Sequence, residues 1–172
     1  MRQNFLSYII PLAVYLALQV FLFDNMTLYG TAFCFVYVAF ILFLPFNINP
    51  MLLITLAFAG GLITDLFYDS MGVNACAMVL IAFIRKPWTA LITPPGGYED
   101  QPSPSIRALG LNWFIYYIFP LVFIHHFFMF EVESGHLQLS WFLLKKIIAS
   151  AIFTSTVLIL IQYLFYRKAR AL

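Results

Sequence analysis

Asp65 and Asp69 stand four residues apart in the stretch GGLITDLFYDSMG (60–72), behind paired glycines and at the end of an apolar run. On a helix that spacing puts both carboxylates on one face. Such a pair suits three chemistries: ligation of a divalent cation, a polar anchor inside a helix bundle, or a solvated helix end. Two further pairs, His125-His126 and Lys145-Lys146, also sit inside apolar runs. Imidazoles, amines and an acid in an apolar setting point to a metal site, an ion-pair network or a polar pocket.

The catalytic readings fail on spacing. Gly61-x3-Asp65-x3-Asp69 matches the second half of the DG-x2-AR-x8-G-x3-D-x3-D motif of the CDP-alcohol phosphatidyltransferases. Upstream, where the first half belongs, the chain reads PFNINPMLL (45–53), with no acid and no arginine. Two carboxylates are too few oxygen ligands for a metal-diphosphate site. No G-x-S-x-G elbow and no H-E-x-x-H pair occurs. Adjacent histidines on a helix point about 100° apart and do not readily share one ion. Cys34 and Cys76 lack metal-type spacing and read as small packing residues. The expectation is a protein that is not an enzyme and carries no metal or cofactor.

The elements that position these groups follow from composition. The 172 residues are 63% hydrophobic and only 9% charged, and mean hydropathy is +0.94. Soluble domains carry roughly 25% charged residues, so the chain reads as a single integral membrane domain. A net charge of +2 without a basic patch gives no reason to expect nucleic acid. A span needs about 20 apolar residues. Six are expected, at about 5–23, 28–46, 51–68, 73–92, 109–130 and 139–166, in an all-α fold. The first run is too long for a signal-peptide core and is expected to be retained. Within the fourth, Arg85-Lys86-Pro87-Trp88 is expected to end or bend the helix, and Thr89–Thr93 to lie along the interface.

Lys and Arg set orientation. Arg2, Arg85, Lys86, Arg107, Arg167, Lys168 and Arg170 all fall on one side of a six-span chain, expected to be cytoplasmic with both termini. Asp24, Glu131 and Glu133 fall outside. The Pro/Gly/Ser-rich loop at 93–108 reads as a flexible linker, or as a docking loop through Tyr98, Glu99 and Arg107.

At 1.5 Å per residue, Gln19, Asp65, His125, His126, Lys145 and Lys146 all lie about 6–11 Å below the outer ends of their spans. Asn74 opens span four at that level. A charge in hydrocarbon costs at least about 2.5–3.5 kcal/mol, so Asp65 must face inward and find a partner. Lys145 or Lys146 leads on depth, followed by His125 or His126, with Asn74 also in reach. The layer is either a buried network that docks the helices or a pocket open to the outside. Gly60 and Gly61 mark close helix approach one turn before Asp65. Asp69 and Gly72 belong to the turn, Asp69 as a solvated end.

These motifs resemble the MreD family, the rod shape-determining membrane proteins of bacteria. Six spans in this length, and GGLITDLFYDSMGVNACA with Gly61, Asp65, Gly72 and Ala75 in place, carry the resemblance. Position 74, often His in the family, is Asn74. The stretches FIRKPW and PPGGYED and the later IHHFF resemble one branch, although Pro95-Gly96-Gly97-Tyr98-Glu99 lacks its Arg-Asp pair. The resemblance covers nearly the whole chain. It implies a non-enzymatic inner-membrane subunit acting with MreC, RodA, an elongation penicillin-binding protein and MreB in lateral wall synthesis. It also implies a fold similar to the membrane substrate-binding components of energy-coupling-factor vitamin transporters, which makes a transporter component the alternative function.

Overall fold

A computed structural model describes residues 6–23, 26–98, 103–135 and 140–164. The chain runs α1 (Leu6–Leu18), a π-helical turn (Gln19–Phe23), β1 (Thr27–Leu28), β2 (Ala32–Phe33), α2 (Val38–Phe43), α3 (Pro50–Tyr68), α4 (Val73–Leu91), α5 (Ile106–Ser134) and α6 (Trp141–Leu164). Three helices, α3, α5 and α6, are long and apolar enough to cross a membrane, and Tyr8–Phe23 is a shorter apolar helix. The molecule is thus a mostly helical membrane protein, with six α-helices among the described residues. Arg2, Asp24, Glu99, Arg167, Lys168 and Arg170 lie outside the described residues.

Local chemistry sets the helix ends. Asn49 caps α3 by accepting from the backbone N–H groups of Met51 (2.8 Å) and Leu52 (3.4 Å), with Pro50 at the first helical position. The helix stops where Asp69 turns left-handed (φ 51°). Gly72 (φ 91°) then opens α4. Ser105 caps α5 at Ala108, and Ser140 caps α6 at Leu143. α3 packs chiefly on α4, α5 on α4 and α6, and β2 on α6.

The second apolar run departs from the expected helix at 28–46. It forms a two-stranded hairpin pairing Thr27 with Phe33 and Leu28 with Ala32, then irregular residues 34–37, then the six-residue α2. The all-α expectation is corrected to that extent. Tyr29 (φ 52°) and Gly30 (φ 66°) make the left-handed hairpin turn. At 1.5 Å per residue α2 is about 9 Å long, far short of a hydrocarbon core of about 30 Å. The run is apolar because it is the centre of the protein, not because it faces lipid. Val36, Tyr37, Val38, Ala39, Phe40, Ile41 and Leu42 are each at most 1% exposed.

The fourth run also differs. α4 continues through Arg85, Lys86, Pro87 and Trp88 to Leu91, and Arg85 is buried at 3% exposure. The helix persists because the Arg85 charge is met inside the protein. α5 extends beyond the expected 109–130, and its backbone leaves helical geometry at Gly110 (φ 83°, ψ 160°). Residues 93–98 fold back on the bundle: the Tyr98 ring stacks on Phe46 at 4.3 Å and meets Trp113 edge-on at 5.8 Å. Its hydroxyl, held above its ordinary pKa by partial burial, donates to the Thr89 carbonyl (2.8 Å). Arg107 is exposed.

Candidate functional site: a polar joint under a cavity

The α3–α4 turn is a close joint. A Cβ on Gly61 would overlap the Ala75 Cα and lie 2.7 Å from the Ala75 nitrogen and the Asn74 carbonyl oxygen. Only glycine permits this approach. At Gly60 a Cβ would meet no backbone, only the ends of the Leu12 (3.0 Å) and Met78 (4.0 Å) side chains. The approach brings the Asp65 carboxylate, 6% exposed, to the first turn of α4. Its Oδ1 accepts from the Asn74 backbone N–H (2.9 Å), the Asn74 Nδ2 (3.1 Å) and the Ser70 hydroxyl (2.6 Å), and its Oδ2 from the Ala75 backbone N–H (2.9 Å).

The expected leading partner of Asp65, Lys145 or Lys146, is therefore corrected. An anion at a helix N-terminus is stabilised by free N–H groups and by the helix dipole, without a cation. Lys146 instead lies 3.6 Å from Glu133 and over the rings of Phe130 (4.0 Å) and Phe33 (4.8 Å). Lys145 is exposed, with its ammonium 5.2 Å from the centre of the Trp141 ring. The histidines are not partners of Asp65 either. Asn74, the remaining candidate, is. Asp69 is exposed and forms the α3 C-cap.

The network beyond Asp65 has one polarity. The carboxylate can only accept, so Asn74 must turn Nδ2 toward it and Oδ1 away. The Asn74 Oδ1 then accepts from the Tyr37 hydroxyl (2.7 Å), which leaves that hydroxyl to accept from His125 Nε2 (2.9 Å). His125 is thereby the Nε2–H tautomer, and its buried Nδ1 has no hydrogen-bond partner among the described residues. His126 is the opposite tautomer: its Nδ1–H donates to the Val122 carbonyl (2.8 Å), and its Nε2 accepts from the Thr154 hydroxyl (3.1 Å). The two imidazoles diverge toward different elements.

The other polar residues at this level serve the unconventional backbone of residues 33–37. In hydrocarbon, non-helical backbone persists only where protein satisfies it. Gln19, 1% exposed on the π-helical turn, donates to the Cys34 carbonyl (3.1 Å) and the Tyr68 hydroxyl (2.9 Å) and accepts from the Tyr37 N–H (3.3 Å). Ser150 accepts from the Phe33 N–H (2.9 Å), and Thr154 from the Phe35 N–H (3.1 Å). Tyr37, Ser70, Ser150 and Thr154 were not singled out by sequence reasoning. Ser150 and Thr154 recur four apart on one face of α6, the signal that marks them. Above the joint lies a cavity of about 580 Å³ lined by Gln19, Tyr68, Asn74, Phe33, Phe130 and Lys146, among others.

From the sequence Arg85 reads as a topology charge and as part of a helix-ending stretch, not as a buried donor. Its guanidinium donates from Nε to the Tyr117 hydroxyl (2.8 Å), from Nη2 to the Leu44 carbonyl, and from Nη1 and Nη2 to the Pro45 carbonyl (3.4 Å each). Tyr117 in turn donates to the Leu42 carbonyl (2.7 Å). The Leu42 carbonyl belongs to the last turn of α2, and those of Leu44 and Pro45 lie just past its end. The signal for Arg85 is an arginine placed after an apolar run with no acid within helical reach. The chain matches no family model, no curated protein and no solved structure.

Proposed function

We propose that the protein is a non-enzymatic subunit of the bacterial rod-elongation machinery, of the MreD type. It lies in the inner membrane with both termini and the 93–108 loop in the cytoplasm. One observation carries the reading: Gly61, Asp65, Gly72 and Ala75, the positions on which the resemblance rests, converge in a single joint between α3 and α4. The joint spends its polar atoms on docking helices, which is the work of an assembly subunit. MreC is the direct partner in this reading, with RodA, an elongation penicillin-binding protein and MreB in the wider complex. Gentle detergent extraction of the tagged protein should recover an MreC-type single-span protein, and deletion should round the cells. Turnover of a lipid or nucleotide by the isolated protein would overturn the reading. Cysteines at Gly97 and Ser134 should label from opposite sides of the membrane; labelling of both from outside would remove the orientation.

The 580 Å³ cavity favours a second reading, a membrane component that binds a small molecule for transport. That volume is in the range of ligand pockets. Co-purification of a stoichiometric small molecule with an ATP-hydrolysing coupling subunit, and without an MreC-type protein, would favour it over the first.

A further inference from the structure

A second cavity, about 280 Å³, opens between the start of α3 and the last turns of α4. Its apolar wall includes Leu53, Ile54, Ala82 and Phe83, and its only charged lining residues are Arg85 and Lys86. No carboxylate among the described residues lies within 4.0 Å of either cation. Arg85 has five N–H donors. Tyr117, Leu44 and Pro45 account for four, on Nε, Nη1 and Nη2, so one N–H on Nη1 is unspent. A buried cation with a spare donor, beside an exposed lysine and with no acid nearby among the described residues, gives this cavity a net positive lining.

We propose that this cavity binds an anionic phospholipid. Its phosphate meets Lys86 and the spare Nη1 proton of Arg85, and the upper part of an acyl chain lies along Leu53, Ile54, Ala82 and Phe83. Charge complementarity selects the headgroup. A choline or ethanolamine would bring a third positive charge to two that have no acidic partner among the described residues, whereas a glycerol headgroup leaves the phosphate charge free to balance them. The size fits partial enclosure, because the volume is below that of pockets that engulf a drug-sized ligand. The remainder of the lipid stays in the bilayer beside Phe83, which is 70% exposed. Basic pockets between membrane helices are a recurrent solution for such lipids.

The test is native mass spectrometry of the delipidated full chain in detergent, titrated with phosphatidylglycerol, with phosphatidylcholine of the same acyl chains, and with inorganic phosphate. Phosphatidylglycerol should bind at least about fivefold more tightly than phosphatidylcholine. Lys86→Gln should weaken it about fivefold, what about 1 kcal/mol per basic residue amounts to. Ile54→Trp should weaken it by filling the wall, and Lys145→Gln should leave it unchanged. Arg85 is left intact because it anchors α2. Equal binding of the two lipids, or no effect of Lys86→Gln, would overturn the proposal. Binding of phosphate as tight as that of the lipid, insensitive to Ile54→Trp, would overturn the lipid assignment.

Discussion

The first turn of α4 and its Arg85 turn solve one problem with opposite signs. Near its start, the Asp65 carboxylate sits on the free N–H groups of α4 itself. Twelve residues into the helix, about 18 Å along it, the Arg85 guanidinium sits on the carbonyls of Leu44 and Pro45, just past the end of α2. Neither charge is neutralised by an oppositely charged side chain among the described residues. Each is met by backbone groups at or just past a helix end, which need a partner in a medium without water. A membrane protein can therefore use a buried charge as a cap. The rule that an intramembrane acid implies a basic partner then fails, because the compensating charge is distributed over amides.

The ends differ in tightness. At the Asp65 end backbone meets backbone, and at the Arg85 end a long side chain bridges the gap. Gly61→Val should thus be the most damaging single change. Its side chain would overlap Ala75 and force α3 from α4, with no flexible neighbour to yield. Overpacking in a rigid interior costs roughly 1–3 kcal/mol or more, and here it also withdraws Asp65. Loss of the monodisperse peak in fluorescence-detected chromatography is expected, while Gly60→Ala, facing only the tips of the Leu12 and Met78 side chains, should retain it. Equal behaviour of the two glycines would remove the close joint.

Next in size are the caps. Asp65→Ala strands the two buried backbone N–H groups of Asn74 and Ala75, roughly 2–6 kcal/mol at about 1–3 kcal/mol per unsatisfied group, while the Asn74 side-chain amide keeps the Ser70 hydroxyl as an acceptor (2.7 Å). Arg85→Met strands carbonyls instead, and under-satisfied carbonyls are tolerated better than N–H groups. A loss of roughly 1–3 kcal/mol is expected there. The thermal midpoint of aggregation in detergent should fall more for Asp65→Ala than for Arg85→Met. The reverse order would show that the cation end dominates.

What was legible in the sequence follows from the same physics. α3, α5 and α6 were readable because a lipid-facing helix needs an unbroken apolar run. The second run satisfied that test for a different reason. Hydropathy reports transfer from water and does not separate a lipid-facing helix from backbone buried among six other elements. The clues to its true form lay in Tyr29-Gly30, a turn pair, and in the polar residues facing it, Gln19, Ser150 and Thr154, each of which satisfies its backbone. Gln19, Asp65, Asn74 and the two histidines share one depth along their spans. Which of them touch does not follow from that, because depth along a helix carries no information about direction around it. Lys146 shares the level and lines the cavity, yet its ammonium turns to Glu133 and two aromatic rings.

The smallest expected effect is the most informative about that error. The Lys146 ammonium is 3.6 Å from Glu133 Oε2, with side chains 22% and 63% exposed, so solvent screens the pair. Such pairs contribute about 0–1 kcal/mol. Lys146→Met replaces the ammonium with a methyl group that also suits the slot between Phe33 and Phe130, so its cost should be at the low end. Asp65→Asn keeps one carbonyl oxygen but puts an amide donor against the N–H groups of α4, roughly 1–3 kcal/mol. The bonds recorded for the Asp65 carboxylate all go to Ser70, Asn74 and Ala75, and none is shared with Lys146. The Asp65→Asn, Lys146→Met double mutant should therefore lose the sum of the single losses to within about 0.5 kcal/mol. The corresponding cycle between Lys146→Met and Glu133→Gln should show a small favourable coupling. A first double mutant milder than its sum by about 1 kcal/mol or more would restore lysine as the counter-ion of Asp65. The backbone of α4 would then lose its place as what holds that charge.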